Sequence, residues 1–388
     1  MNTSRKNKKI RQITVMVASL LIGGVVGWVG ITLAVRIPII RQFLDQMAGA
    51  LGPFDLLLTL PIIVLVIFVH ELGHLAGGLA QRMRFLLLIV GPFQWTRSTT
   101  GVRFAWNLNP NLMGGLAAAT PDRQRPVLPQ MLGLVIGGPL ASLLLAAGSL
   151  ALAGQSDGRL AAQLNFTGLM SLLIFLATAT PFRAGGMQSD GWQLIELLRG
   201  GQAVLERQLI LEVMGNSLAG VRPRDWDPGA IGQLENLESD EPLRKIAARL
   251  QAFYYYWDRG EMGQVRPLAH WLADHVDQYP DGFRQAIHLD LAVFALDPTR
   301  EADPDPGISA ATHTAAASGG VVDPARRQLL AAIQACHDHR FEEARLAISE
   351  ARRLLARGMD PGVNHFTADQ LDRLAAWLEE PQLDDRPR

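Results

Sequence analysis

Cysteine is almost missing. Cys336 is the single one in 388 residues, so no intrachain disulfide framework can form. One reduced thiol fits a soluble part in a reducing compartment. Charge is scarce as well: 19% of residues are charged against 48% hydrophobic. That is too apolar for an ordinary soluble protein and too polar for a chain embedded in lipid throughout. The shortage is also uneven, since most apolar length precedes about residue 181 and most charge follows residue 199. A membrane half followed by a soluble half accounts for both. The net charge of −1 is uninformative about partners, and with no basic stripe nothing points to nucleic acid.

Long apolar runs are what the first half has instead. A basic tail, 1–11, precedes ITVMVASLLIGGVVGWVGITLAV, which carries no charge. About 20 helical residues cross a bilayer, so this run suffices. It reads as an uncut first helix over 12–36, because it is longer than a signal peptide's apolar region and lacks a clear small-residue cleavage site. Further spans are expected at 55–79, 128–153 and 164–181. Lysine and arginine concentrate in the tail (Arg5, Lys6, Lys8, Lys9, Arg11) and between the second and third spans (Arg82, Arg84, Arg97, Arg103, Arg123, Arg125). This bias predicts a multi-pass protein with both termini cytoplasmic. Within the arginine-rich segment, FQWTRSTTGVRFAW alternates about a polar turn and predicts a β-hairpin at the membrane surface, within about 85–107. Glycine pairs four apart (Gly23 and Gly27, Gly73 and Gly77, Gly133 and Gly137) predict close helix contacts.

The second half reads as helices joined by short turns. PLRKIAARLQAFYYYWDRGEMGQVRPLAHWLADHVDQYP and PARRQLLAAIQACHDHRFEEARLAISEARRLLARG each give a helix, a turn and a second helix. The pattern resembles tetratricopeptide repeats loosely, in two degenerate units. It predicts repeat-like helical regions at 201–297 and 324–380, a flexible linker at 298–323 and a tail at 381–388. Such a region suits a protein partner. The aromatic run Tyr254, Tyr255, Tyr256, Trp257, with Trp271, reads as core packing, and Cys336, His337 and His339 as a surface turn. The expected fold class is therefore mainly α: a polytopic membrane protein with about four transmembrane helices and a surface hairpin, then a soluble helical repeat-like domain.

The chemistry lies in VIFVHELGHLAGGLA, residues 66–80. Ionisable groups inside a span cost about 2–4 kcal/mol each and are usually functional. Residues four apart on a helix share a face, so His70 and His74 can take two corners of a tetrahedral zinc site. Glu71 adjoins the first ligand and is placed to take a proton from zinc-bound water. Gly73 is read as keeping bulk off the site. A catalytic zinc needs a third protein ligand and an open position. Asp190 is the one carboxylate near the inner end of the last span, within TPFRAGGMQSDGWQLIELL. Alone, Asp-Gly is an ordinary turn; with the histidine pair it becomes the expected third ligand.

HELGH at the end of a membrane helix, GGPLASLLLA in the third span and P…SDG after the fourth resemble the site-2 proteases, intramembrane zinc metalloproteases, over about 55–200. The resemblance implies Zn2+ held by His70, His74 and Asp190, with Glu71 as catalytic base. It implies a membrane protein substrate, often regulatory, cut in or near its transmembrane helix within the lipid bilayer. The chain departs from the pattern in three ways. Thr178 and Ser142 stand where the family commonly has asparagines, and the interval from Pro181 to Asp190 is long. Both hydroxyls can donate a hydrogen bond to substrate or oxyanion. No PDZ-like module is apparent. The alternative reading is an inactive relative acting as a membrane scaffold through its helical half. An ion transporter is disfavoured because no second polar span completes a path.

Overall fold

The computed structural model describes residues 53–379 apart from 99–100, 108–112, 123, 185–186, 240, 280, 300–322, 356–357 and 359. The expected first span at 12–36, both tails and most of the linker lie outside the described residues. What is described is mainly helical, with a small antiparallel sheet. Among the described residues three helices are long and apolar enough to cross a membrane. They are α1 (Pro53–Ala80), α2 (Val127–Ala153) and α3 (Gly158–Ala179). The last begins earlier than the expected 164 and stops before Pro181. Proline disfavours helical backbone in the residue that precedes it.

The chain divides into two compact units, one comprising Met1–Ile63 with Leu145–Met170, the other Val64–Leu144 with Ser171–Arg388. In the first unit α2 and α3 meet at Gly168, where a Cβ would crowd the Leu150 side chain.

The second unit has three layers. The inner layer is the crossing of α1 and α2. A Cβ at Gly73 or Gly77 would overlap the carbonyls of Gly137 and Gly133, and the reverse substitutions meet the same obstacle. Small residues thus let two backbones touch. Gly73 faces α2 here, which corrects its expected role of keeping the metal site open.

The middle layer is a sheet of four strands, β1 (Arg84–Val90), β2 (Phe93–Ser98), β3 (Gly101–Trp106) and β4 (Leu116–Thr120), in the order β3-β2-β1-β4. The expected hairpin is its β2–β3 half, in register from Phe93 opposite Trp106 to Ser98 opposite Gly101. β1 was hidden in the sequence because RFLLLIV does not alternate. It is buried on both faces, so both faces are apolar. Leu88 and Val90 join Leu75 and Met131 of the helices, whereas Leu87 and Ile89 pack with Leu218 beyond the sheet.

The outer layer is helical. A two-stranded turn, β5 (Arg183–Ala184) with β6 (Met187–Gln188), leads into α4 (Asp190–Arg199) and α5 (Gln202–Leu218). The rest is α6 (Pro228–Glu235), α7 (Pro242–Arg259), α8 (Met262–His275), α9 (Asp281–Leu296), α10 (Pro324–His337), α11 (Phe341–Leu355) and α12 (Pro361–Glu379). Two helix–turn–helix pairs, α7–α8 and α10–α11, fall on the two stretches read from the sequence. Gly260 ends α7 in the left-handed conformation, which glycine adopts without steric cost. Phe253, Trp257, Phe294 and Phe366 fill the centre of this layer with tilted and edge-on ring contacts. Tyr255 and Trp257 are therefore core, and Tyr254, Tyr256 and Trp271 pack partly buried against it, as expected.

Candidate metal centre

The helix α1 carries His70, Glu71 and His74 in its last three turns, all buried. Each imidazole is aimed by its other nitrogen. His74 Nδ1 lies 2.7 Å from the Leu134 carbonyl, and His70 Nδ1 lies 2.9 Å from Ser142 Oγ. A carbonyl only accepts, so Nδ1 of His74 carries the proton and its Nε2 presents a lone pair. Ser142 is held in turn, since its carbonyl accepts from Ser171 Oγ at 2.8 Å. Both oxygens that orient the rings come from α2.

Asp190 arrives from the far side of the fold. It is the first residue of α4, and Ser189 caps that helix. Ser189 Oγ accepts from Phe182 and Trp192 N–H at 3.0 and 3.2 Å and donates to the Thr180 carbonyl at 2.7 Å. The loop after α3 is thereby stitched to the helix that bears Asp190. Gly191 makes the approach possible, because a Cβ there would overlap the Ala179 carbonyl.

Three atoms converge. His70 Nε2 and His74 Nε2 are 3.2 Å apart, and Asp190 Oδ2 lies 3.3 and 3.5 Å from them. Ligand atoms about 2.0–2.2 Å from a tetrahedral zinc stand roughly 3.3–3.6 Å from one another. The spacing fits. So does the chemistry, since imidazole nitrogens and a carboxylate are the usual ligands of such a site. Among the described residues this is the one such cluster. His337 and His339 are exposed at the turn that ends α10, as expected, with His337 2.8 Å from the Leu296 carbonyl, whereas Cys336 is buried.

Glu71 points toward β4. Its carboxylate accepts from the Ala117 N–H, and a Cβ on Gly115 would collide with it. A Cβ on Gly138 would overlap the His74 ring. Gly115 and Gly138, not Gly73, keep side chains off the site. Glycine at 115 also suits its φ of 108°. The sequence offered only a weak sign of this, the Gly-Gly of NLMGG. Thr178 lies in the last turn of α3, and its buried Oγ1 has no hydrogen-bond partner. Ser142, by contrast, is spent on His70.

Apolar helices long enough to cross a membrane thus accompany a triad, His70, His74 and Asp190, that could hold a metal ion, with Glu71 beside it. A family model described as peptidase family M50 matches residues 58–351, well over half of the chain. The chain belongs to this family, the site-2 protease family, whose members are typically zinc metallopeptidases. No curated protein and no solved structure matches it.

Proposed function

We propose that this chain is an intramembrane zinc metalloprotease that hydrolyses peptide bonds in or near transmembrane helices of other membrane proteins. The observation that carries the proposal is the spacing of 3.2–3.5 Å among His70 Nε2, His74 Nε2 and Asp190 Oδ2, with Glu71 alongside. His70, His74 and Asp190 would hold the zinc. When bound, zinc supplies Lewis acidity toward a carbonyl and lowers the pKa of a coordinated water toward neutrality. Glu71 takes the proton of the attacking water and passes it to the leaving amine. Ser142 orients His70, and Thr178, whose buried hydroxyl is unpartnered, is the other residue assigned to substrate or oxyanion binding.

A helical substrate hides its carbonyls in its own hydrogen bonds, so it must unwind before attack. An unwound strand pairs readily with a sheet edge. The hairpin was the edge suggested by the sequence. β4 is the better one, because it is the opposite edge of the sheet and touches Glu71 through Ala117. In this reading both termini face the cytoplasm, and the helical layer is a repeat-like module that receives a protein partner.

Glu71→Gln tests the proposal. The change should keep bound zinc and lower cleavage of a co-expressed membrane substrate by about 10²–10⁴-fold, the usual worth of a general base. Undiminished cleavage would remove Glu71 from its role. If neither form ever cuts while partner binding persists, the scaffold reading stands instead. Asp190→Ala should cut zinc affinity by more than about 100-fold, beyond the loss typical of an outer partner. Unchanged zinc by elemental analysis would move the third ligand elsewhere.

A further inference from the structure

A cleft opens beside Asp190 that the metal centre does not use. Its volume is about 230 Å³. One wall is α2, through Val135, Pro139 and Leu140; the other is Phe175 of α3; Asp190 and Leu194 of α4 form its end. Apart from the Asp190 carboxylate the lining side chains are all hydrocarbon or aromatic. An apolar cavity of about 150 Å³ holds a benzene ring, so this one accommodates a leucine, methionine or phenylalanine side chain with room left over.

Three features favour a peptide over a lipid tail. The cleft adjoins the metal centre, because Asp190 belongs to both. Any carbonyl brought to the acceptor triad therefore carries its neighbouring side chains to within a few ångströms of the opening. The wall also offers backbone. Pro139 has no N–H, so the Val135 carbonyl lacks its usual helical donor four residues on. Both residues line the cleft. Finally, the cleft ends at Asp190, against a helix start fixed by Ser189 and Gly191, so its depth is set by rigid elements. A site that binds one residue type with preference needs such fixed walls.

We propose that this cleft is a specificity pocket that takes a large apolar side chain of the substrate residue next to the scissile bond. The proposal rests on the metalloprotease reading above and adds the side-chain class. It excludes charged residues at that position, since a carboxylate would face Asp190 and any ion would leave water for hydrocarbon.

The test uses amino-acid hydroxamates, which bind zinc through the hydroxamate and carry one variable side chain. The purified full chain, zinc-loaded in detergent, is titrated by calorimetry with the glycine, leucine, phenylalanine and aspartate members. Leucine and phenylalanine should bind at least about tenfold tighter than glycine, and aspartate weaker. That factor corresponds to about 1.4 kcal/mol, well within the worth of burying such a side chain. Leu140→Trp, at a half-exposed position that tolerates bulk, should erase the leucine and phenylalanine advantage while zinc content holds. Leu143→Ala, on the same wall, should shift preference toward a tryptophan hydroxamate. If glycine hydroxamate binds but leucine and phenylalanine gain nothing, and both variants are inert, the cleft is a lipid-facing surface and the proposal falls while the metal site stands. If no hydroxamate binds and no zinc is retained, the metalloprotease reading itself fails and the pocket falls with it.

Discussion

Two regions of this chain bury ionisable side chains, and they do so in opposite ways. In the helical layer several buried charges are matched by a cation. Asp290 and Arg326 form an ion pair at 2.6 Å, with Tyr254 hydrogen-bonded to the same carboxylate. Asp258 is held by Arg222 at 2.7 Å, and Glu196 by Arg244 and Arg207 at 2.8 and 2.9 Å. At the apolar helices His70, Glu71, His74 and Asp190 gather, and among the described residues no lysine or arginine pairs with any of them. Matched charges cancel one another and hold shape. Histidines and carboxylates that converge without a lysine or arginine form a group that suits a metal ion, and that marks a candidate site. Burial of charge alone would not have separated the two regions. The sign of the partner does.

The comparison can be broken most strongly in the helical layer. Arg326→Met leaves Asp290 buried without its cation, which should cost about 3–5 kcal/mol of stability. Chemical unfolding of the full chain, followed by circular dichroism, would report it. The double change Arg326→Met with Asp290→Leu should recover much of that loss. If the single change is silent, the pair is not structural and the contrast collapses.

A smaller effect sharpens the other side. Ser142→Ala removes the oxygen that orients His70 but no atom of the acceptor triad. Zinc affinity should fall about 10–100-fold, as for other outer partners of metal-bound histidine. Competition with a fluorescent chelator measures it. A loss as large as that of Asp190→Ala would instead make Ser142 part of the ligand set.

The smallest effect is in the pH dependence of the matched region. Burial raises the Glu196 carboxyl, but hydrogen bonds from Arg244 and Arg207 outweigh it and hold the group down at about 2. An unfolded glutamate titrates near 4.3. The stability contributed by Glu196 is therefore complete above about pH 4.5 and is lost as pH falls toward about 2. The melting temperature of the wild type should exceed that of Glu196→Gln at pH 6, and the gap should narrow through that window. A gap independent of pH would mean that the carboxylate charge is not what Arg244 and Arg207 recognise.

Glu196 also shows how the two regions communicate. It shares α4 with Asp190, so the arginines of α5 and α7 clamp the helix that brings the third acceptor to the histidines. Arg183 adds a cation–π contact over Trp192 in the same helix, 4.4 Å from the ring centre. The sheet provides a second link, where Gly215 of α5 packs on Thr120 at the end of β4. None of these contacts was legible in the sequence, because each joins residues whose spacing along the chain carries no period. β1 was missed for a different reason: a strand buried on both faces loses the alternation that identifies strands. The placement of Ser142 was missed because a hydroxyl in an apolar helix does not announce which ring it will meet.

The sequence by itself determined the apolar helices, the histidines one turn apart and the glutamate between them. Those features depend only on composition and on the 3.6-residue period of a helix, which a reader can count. Tertiary structure alone decided that Asp190, the carboxylate expected from the sequence, reaches the histidines, which glycines clear the site and which sheet edge lies beside Glu71. Those depend on where distant backbones touch. Here contact distances of 3.2–3.5 Å among three acceptors are fixed by α1, by its crossing with α2 and by the capped start of α4, and no local rule carries that information.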